Sequence, residues 1–348
     1  MNKQLLAALK SKSHYSSELP YNLNWGINLT PEVKEYLIAN PIVVTDVGCR
    51  GGVTNELEVF VPYSKLFGFD ADPHECDRLN QTTHGHMERK IFPYFVGGEN
   101  GVAKFNLFAN RAQSSIFNPD ERYSYSFRIS NDFNVEQTVE VEARTLDYIF
   151  ETEQLQPPDF LKLDTQGSEL DILQAAPKVI SKVTMIEVEV EFTRIYEKQP
   201  LFFEVAEFLY SKGFELLYLN RVFEQRTAVY AEPTRGQLVF GDALFGRRED
   251  TLAEFDTARL VTYALLLINF GHTDIAFDLT RCFPSIATAL PGISRYFRMS
   301  GGWSFGRKVM RRVGREIRPQ LDKLILLLLH LRRSNHLTYD SDRNWPVR

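Results

Sequence analysis

Strand-like and helix-like segments alternate from residue 42 onward, and this alternation constrains the fold more than any other feature of the sequence. A β-branched run at 42–45 is broken by glycines within 48–52 and followed by a helical pattern over 54–61. Two further strand-like runs follow, at 65–69 and 91–96. Strands that alternate with helices across short turns are typical of βαβ units in a parallel sheet. Because such crossovers are right-handed, we expect helices on both faces of the sheet.

The alternation is interrupted over 101–145 and then resumes. Within the interruption, 102–107 and 138–144 are predicted to be antiparallel additions around a polar insert. The remaining predicted elements are strands at 160–164, 183–190, 214–219 and 238–245, helices at 168–176 and 201–212, and a helical hairpin formed by 258–270 and 275–282. The sequence pattern predicts no further strand after Arg248.

The length of 348 residues suggests two domains, or one large domain with an appendage. We predict an N-terminal helical lead at 1–41, an α/β domain at 42–248 and a C-terminal helical region at 249–348. In the lead, Thr30 followed by Pro31 is typical of an N-cap and the first helical position.

The first glycine-containing turn is a candidate ligand site because it lies between a predicted strand and a helix. It contains Asp46, Gly48, Arg50 and Gly52. A dinucleotide fingerprint that starts at Gly48 needs glycines at 50 and 53, where the chain has Arg50 and Val53. The sequence therefore disfavours a nicotinamide cofactor. Taken alone, the turn specifies no particular cofactor, and Asp46 also fits a role in holding the turn.

Two acids follow the second predicted strand. Asp70 lies at its end, where a carboxylate accepts hydrogen bonds from the hydroxyls of a ribose. Asp72 precedes Pro73 and fits either the same role or an N-cap of the next helix. We therefore place Asp70 and Asp72 in a nucleoside-binding site and leave the capping alternative for Asp72 open.

Three segments carry a resemblance to a known family, the FkbM-type S-adenosylmethionine-dependent methyltransferases. The first comprises 43–52 with 67–73. The most specific is FLKLDTQGSELDIL at 160–173, and the third is EVEFTRIYEKQPLF at 189–202. Two departures are Arg50, where a small or amide residue is usual, and Asp70-Ala71, where Glu-Pro is frequent. The resemblance covers roughly 42–246.

The resemblance implies a Rossmann-like class I methyltransferase fold. Its sheet has seven mostly parallel strands, with an antiparallel last strand. The implied cofactor is S-adenosylmethionine, with 48–52 near its methionine part, Asp70 on the ribose and Gly97 near the adenine. The implied reaction transfers a methyl group to a hydroxyl of a sugar, glycan or glycolipid. A non-catalytic binding or scaffolding module on the same fold stays open as the alternative.

Such a transfer needs a base near the acceptor hydroxyl, and the ends of the central strands supply candidates. Asp164 ends one predicted strand, and Lys162 shares its face. Glu187, Glu189 and Glu191 share one face of the next strand. We predict that Asp164 and Glu189 form the acid–base pair, with Lys162 and Glu187 beside them. For Lys162, an ion pair with a nearby acid is the structural alternative.

A histidine base and a metal site have weaker support in the sequence. None of the seven histidines lies at a predicted strand end, and His74, Cys76, His84 and His86 lack the spacing of a zinc site. A divalent metal held by Asp164 and the glutamates is left open but not favoured. The segment 113–115 either contributes hydroxyls to the cofactor, or covers the site, or forms a surface loop.

Charge is distributed unevenly along the chain. Residues 295–333 contain 11 Lys and Arg against 2 Asp and Glu, so this tail carries +9 and the rest carries −14 of the total −5. The balance argues against a nucleic-acid binder. Apolar residues spaced by three or four over 307–333 predict basic amphipathic helices. Two readings stay open: contact with an anionic membrane surface, or packing on the catalytic domain or a second subunit in a homo-oligomer.

The compartment is predicted from cysteine usage and the N-terminus. Cys49, Cys76 and Cys282 form no motif, which favours a reducing environment. The first 20 residues lack the apolar core of a secretory signal. We therefore expect a cytoplasmic protein, with peripheral membrane association as the open alternative.

Overall fold

The computed structural model describes residues 27–50, 55–82, 84–127, 130–226 and 236–297. Ten strands are described: β1 Ile42–Val47, β2 Ser64–Phe69, β3 Glu88–Phe92, β4 Phe95–Val96, β5 Gly101–Phe108, β6 Val135–Arg144, β7 Phe160–Leu163, β8 Met185–Glu191, β9 Phe214–Glu224 and β10 Gln237–Arg247. The α-helices are α1 Pro31–Ala39, α2 Pro73–Gln81, α3 Glu121–Ser126, α4 Leu146–Thr152, α5 Glu169–Gln174, α6 Pro177–Ile180, α7 Phe202–Ser211, α8 Thr257–Asn269, α9 Thr273–Cys282, α10 Ser285–Ala289 and α11 Ser294–Phe297.

Seven strands form the main sheet in the order β3-β2-β1-β7-β8-β10-β9. The neighbours from β3 to β8 pair in parallel, whereas β10 is antiparallel to both β8 and β9. The predicted seven-stranded, mostly parallel sheet with an antiparallel last strand is confirmed. Because β1, β2, β7 and β8 run in the same direction, their carboxyl ends meet at one edge of the sheet.

A second sheet of three strands has the order β4-β6-β5. Its β5 and β6 are the predicted antiparallel additions, and they enclose the polar insert. The prediction of one strand over 91–96 was wrong, because β3 belongs to the main sheet and β4 to the second. Pro93 lies between them and has no N–H with which to continue the ladder. The predicted helix over 54–61 is a 3-10 helix at Asn55–Tyr63.

The helices that follow residue 248 share a core with one face of the main sheet. Ten consecutive residues of α8, from Leu260 to Asn269, are buried. They pack with Val44, Met185 and Leu244 of the sheet and with residues of α1. Phe270, which follows α8, stacks on Phe160 with ring centroids 5.7 Å apart. The opposite face of the sheet is covered by α4, α5, α6 and α7.

A buried ion pair connects α8 to the first strand. Asp159 accepts a hydrogen bond from the Val43 backbone N–H at 2.9 Å and lies 3.3 Å from the Arg259 guanidinium. Burial raises the pKa of Asp159 to about 6, although Arg259 opposes this. The lead helix is also connected to the C-terminal helices, because the Gly292 N–H donates to Glu32 at 2.8 Å. The boundary proposed at 248 stays a prediction.

The predicted basic helices at 307–333 lie outside the described residues, so their contact with a membrane or a second subunit stays a prediction. None of the described helices is both long enough and apolar enough to cross a membrane.

Candidate active site

The turn after β1 passes directly over the end of β7. Gly48 has a φ of +84°, and a Cβ added there would lie 1.9 Å from the Asp164 carbonyl oxygen. Its N–H and that of Cys49 donate to the Phe69 carbonyl at the end of β2. The turn is therefore fixed by two neighbouring strand ends, and glycine is required by both backbone angle and space. Gly52 lies outside the described residues.

Gly48→Ala is expected to lower the unfolding temperature and to abolish stabilisation by S-adenosylmethionine. The left-handed backbone alone costs about 1–3 kcal/mol for a non-glycine residue, and the clash with Asp164 adds to that. Gly101→Ala is the matched control, because Gly101 also has a positive φ, +151°, but nothing lies within 4 Å of its added Cβ. Thermal unfolding with and without cofactor measures both effects. Equal losses in the two variants would contradict the close-approach argument.

Asp46, near the end of β1, is buried without a hydrogen-bond partner. Its side chain is 1% exposed, and neither carboxylate oxygen receives a hydrogen bond in the part of the chain that the structure describes. Burial raises the pKa of Asp46 to about 6; Lys162 opposes this rise, while Asp164 and Asp70 add to it. A buried carboxylate in this state has unused capacity to bind a ligand cation or donor.

The two acids after β2 make different contacts. Asp72 accepts a hydrogen bond from the His74 N–H and is the N-cap of α2, which confirms the capping alternative. Asp70 is 9% exposed, and its Oδ1 accepts from the Asp72 N–H at 2.8 Å. The Arg50 guanidinium lies 2.9 Å from Asp72 and 3.6 Å from Asp70. Burial raises the pKa of Asp70, although the hydrogen bond from the Asp72 N–H and the charge of Arg50 oppose the rise.

Gly97 is placed at the junction between the second sheet and the main domain. Its N–H donates to the Arg144 carbonyl at 2.9 Å. The neighbouring Gly98 lies against Asp171 of α5, at 3.0 Å from its added Cβ to that side chain. No described contact joins Gly97 to Asp46 or Asp70, so its role near an adenine stays a prediction.

The turn after β7 brings the predicted acid–base pair together. The Gln166 side-chain amide donates to Asp164 at 3.1 Å and to Glu189 at 2.7 Å. Lys162 lies 3.4 Å from the other Asp164 oxygen, which confirms the predicted ion pair. Gln166 has a φ of +58°, a left-handed conformation uncommon for a residue other than glycine. This strained residue, which was not predicted as a site residue, connects two carboxyl groups from different strands.

A buried carboxylate stabilises this turn by accepting hydrogen bonds from its backbone. Glu169 is 2% exposed and accepts hydrogen bonds from the backbone N–H groups of Thr165 and Gly167. Ser115 Oγ donates to the Gln166 carbonyl at 2.7 Å. The segment 113–115 therefore contacts this turn, and whether it covers the site stays a prediction.

The glutamates of β8 run from half-buried to fully buried. Glu187 and Glu189 are half-buried, whereas Glu191 is 3% exposed. Burial, followed by the charge of Asp164 and of other nearby acids, raises the pKa of Glu189 well above its ordinary value. Burial likewise raises the pKa of Glu191 well above its ordinary value. Since Glu189 faces Asp164 across the Gln166 amide, the neighbouring negative charge favours the protonated form of Glu189.

Lys162 compensates much of the surrounding negative charge. Burial alone would lower the pKa of Lys162, but Asp164, Asp46, Glu187 and Asp242 raise it well above its ordinary value. Asp242 lies on β10 in register with Glu189. Within the described residues, no group of three metal-ligating side chains has the geometry to hold a metal ion.

An aromatic residue that packs against the polar insert contacts the bridging Gln166. Tyr196 is fully buried, and its hydroxyl lies 2.9 Å from the Gln166 side-chain oxygen. Its ring packs in an aromatic cluster with Phe108, Phe133 and neighbouring residues of the insert. Gln166 and Tyr196 were both missed by the sequence reasoning. For Gln166 the usable signal is its place before Gly167 in the turn; for Tyr196 no sequence signal distinguishes it from a core aromatic.

The strand order, with five parallel strands followed by the antiparallel β10, is that of a Rossmann-like class I methyltransferase fold. Residues 50–216, just under half of the chain, match the family described as the methyltransferase FkbM domain.

The chain is 25% identical over 168 residues to the 2-O-methyltransferase NoeI of Sinorhizobium fredii. The alignment covers 45% of this chain and 66% of that protein, which is slightly less than two thirds of the relative's length.

Among solved structures, the chain is similar to TehB from Haemophilus influenzae, with a TM-score of 0.32 and 11% identity over 62% of this chain and 61% of that one. It is also similar to a precorrin-6y C5,15-methyltransferase from Geobacter metallireducens, with a TM-score of 0.31 and 13% identity over 62% and 88%. The fold assignment rests on the strand order and not on these likenesses.

Proposed function

We propose that the protein is an O-methyltransferase that transfers the methyl group of S-adenosylmethionine to a hydroxyl of a sugar, glycan or glycolipid. The observation that carries this proposal is the pairing of Asp164 and Glu189 through Gln166 at the sheet edge that also holds the glycine turn. A carboxyl group with a raised pKa is suited to accept a hydroxyl proton near neutral pH. The similarity to a protein named as a 2-O-methyltransferase supports the choice of a hydroxyl acceptor.

The residues after β1 and β2 fit the cofactor. When bound, S-adenosylmethionine supplies a methyl group already activated on a sulfonium. Gly48 allows the backbone to approach it closely, and Asp46 offers a buried carboxylate that lacks a described partner. Asp70 would accept from the ribose hydroxyls, with Arg50 close to it. Gly97 is retained as a contact on the adenine side by resemblance alone.

In this proposal the protein's own residues orient the acceptor and take its proton. Glu189 is the base, and the Gln166 amide fixes the orientation of its carboxyl group. Asp164 lies 3.4 Å from the Lys162 ammonium and accepts a hydrogen bond from the Gln166 amide. Holding an acceptor hydroxyl in line with the activated methyl can contribute about 7–11 kcal/mol, so positioning supplies the larger share of the catalysis.

We expect S-adenosylmethionine to raise the unfolding temperature and Asp70→Ala to reduce that rise by at least half. Loss of the Asp70 carboxylate removes the charged acceptor for the ribose hydroxyls, which is worth about 1.5–3 kcal/mol. Glu140→Ala is the control, because Glu140 is an exposed residue of the second sheet. Absence of any shift at millimolar cofactor would contradict cofactor binding.

The transfer reaction is tested with labelled cofactor and a panel of glycans, glycolipids and sugar-containing extracts. A labelled acceptor supports the enzyme. Cofactor binding without transfer to any acceptor in the panel would favour the alternative, a binding or scaffolding module. Asp164 argues against that alternative, because its side chain is 35% exposed and therefore is not closed off from a ligand.

A further inference from the structure

The side-chain amide of Gln166 has hydrogen-bond partners at both of its ends. Its nitrogen carries two N–H groups and lies 3.1 Å from an oxygen of Asp164 and 2.7 Å from an oxygen of Glu189. Its oxygen lies 2.9 Å from the Tyr196 hydroxyl, which is the donor for it. If the amide were turned over, its oxygen would face two carboxyl groups. The donor at Tyr196 and the two acceptors therefore favour the same orientation.

The Tyr196 hydroxyl also contacts the polar insert. It lies 2.8 Å from the Gln113 carbonyl oxygen, and a hydroxyl has one proton to share between this acceptor and the Gln166 oxygen. In the same segment, Ser115 Oγ donates to the Gln166 backbone carbonyl at 2.7 Å. The segment 113–115 thus contacts the backbone of Gln166 directly and its side chain through Tyr196.

The ring of Tyr196 is held in place by its packing. It is fully buried and stacks on Phe108 with centroids 6.0 Å apart, while Phe133 meets it edge-on at 5.9 Å. A side chain in a close-packed core has little freedom to leave its rotamer. Burial, together with the charge of Glu189 and other nearby acids, raises the pKa of Tyr196 well above its ordinary value. The hydroxyl is therefore a fixed donor that keeps its proton at neutral pH.

We infer that Tyr196 is a positioning residue for methyl transfer, and that its hydroxyl holds the Gln166 amide in the orientation that donates to Asp164 and Glu189. This inference rests on the proposed function, in which Glu189 takes the proton of the acceptor. In the part of the chain that the structure describes, the Tyr196 hydroxyl bonds to Gln113 and Gln166 and to neither carboxyl group. Tyr196 therefore acts on Glu189 through Gln166, as a supporting residue that fixes the geometry of a site.

The surroundings of Glu189 determine the direction of the expected effect. Burial raises the pKa of Glu189, and the charges of four nearby acids add to the rise: Asp164, Glu191, Glu169 and Asp242. The Lys162 ammonium lies 3.4 Å from Asp164. A hydrogen bond donated by the Gln166 amide favours the ionised form of Glu189 and so opposes the rise. Without the Tyr196 hydroxyl the amide is free to turn, and the pKa of Glu189 should rise further.

The test compares Tyr196→Phe with Tyr263→Phe in the full-length protein. Tyr263 is the matched control, because it is also buried and its hydroxyl donates to a backbone carbonyl, that of Arg247, at 2.8 Å. The pKa of Glu189 is measured by NMR of isotopically labelled glutamate, with Glu189→Gln to identify the signal. We expect a rise of about one unit, or about tenfold in the ionisation constant, in Tyr196→Phe alone. The pH at which methyl transfer declines should move upward by the same amount.

A double-mutant comparison separates positioning from a general structural effect. In Gln166→Ala, the further change Tyr196→Phe should leave the pKa of Glu189 where it is, because the side chain through which Tyr196 acts is gone. Thermal unfolding checks that phenylalanine, which keeps the ring, also keeps the fold.

An unchanged pKa of Glu189 in Tyr196→Phe, or an equal rise with and without the Gln166 side chain, would overturn the inference. A rise that depends on Gln166, in a protein that methylates no acceptor, would overturn the proposed function but support the control of Glu189 by Tyr196.

Discussion

Glu189→Gln is expected to lower the rate of methyl transfer by about 10²–10⁴-fold, the usual contribution of a positioned base. The amide keeps the shape of the side chain but cannot accept the hydroxyl proton. The variant should fold as well as the wild type or better, because Glu189 lies among like-charged carboxyl groups that raise its pKa. Initial rates at saturating cofactor, together with thermal unfolding, separate the catalytic effect from any loss of stability.

The pH dependence gives the same prediction a second readout. A base must be deprotonated to act. Because the pKa of Glu189 is raised, the wild-type rate should begin to fall, as the pH is lowered, while the pH is still above the ordinary titration range of a glutamate. In Glu189→Gln this fall should disappear. Glu187→Gln is the control, because Glu187 lies on the same strand face but does not receive the Gln166 amide. A larger loss in Glu187→Gln than in Glu189→Gln would reverse our assignment of the base.

A chain that ends at residue 248 is expected not to fold into a stable protein. It would lose α8, whose ten buried residues cover one face of the main sheet, and would expose Val44, Phe160, Met185 and Leu244. Fully burying an apolar side chain contributes about 1.5–3 kcal/mol, so losing four is comparable to the total stability of about 5–15 kcal/mol.

The loss of Arg259 acts in the same direction, because it leaves the buried Asp159 without its cation. Circular dichroism, solubility and cooperative unfolding would be compared with the full-length protein. A chain that ends at residue 297 is the control, because it retains every helix that the structure describes. Cooperative unfolding of the shorter chain at a wild-type temperature would show that the sheet is stable without these helices.

Much of the site could be predicted because parallel strands end at one edge. Once the strands were located, the acids at their ends, such as Asp46, Asp70 and Asp164, were expected to converge, and the periodicity of β8 added Glu189. The bridge by Gln166 could not be predicted, since it depends on a left-handed backbone and on a carboxyl group from a distant strand. The position of Asp242 beside Glu189 depends on the register between β10 and β8, which the sequence does not specify.

Helical periodicity also leaves the packing partner undetermined. The hairpin after residue 248 was predicted with nearly its observed bounds, at Thr257–Asn269 and Thr273–Cys282. Its amphipathic pattern indicates a buried face but not the surface that buries it. The split of β3 and β4 was missed because both flanks of Pro93 have strand composition, and pairing in two different sheets is a tertiary property.

The position of α8 has a consequence for how the protein is synthesised. Translation at about 5–20 residues per second completes the sheet at residue 247 several seconds before residues 257–297 are all available. During that interval the sheet face lacks the cover of α8, and we expect its exposed Phe160 and Met185 to be sites where an unfinished chain associates with others. Release of a nascent chain in this interval, or a slow codon between residues 247 and 297, should therefore increase aggregation and dependence on chaperones.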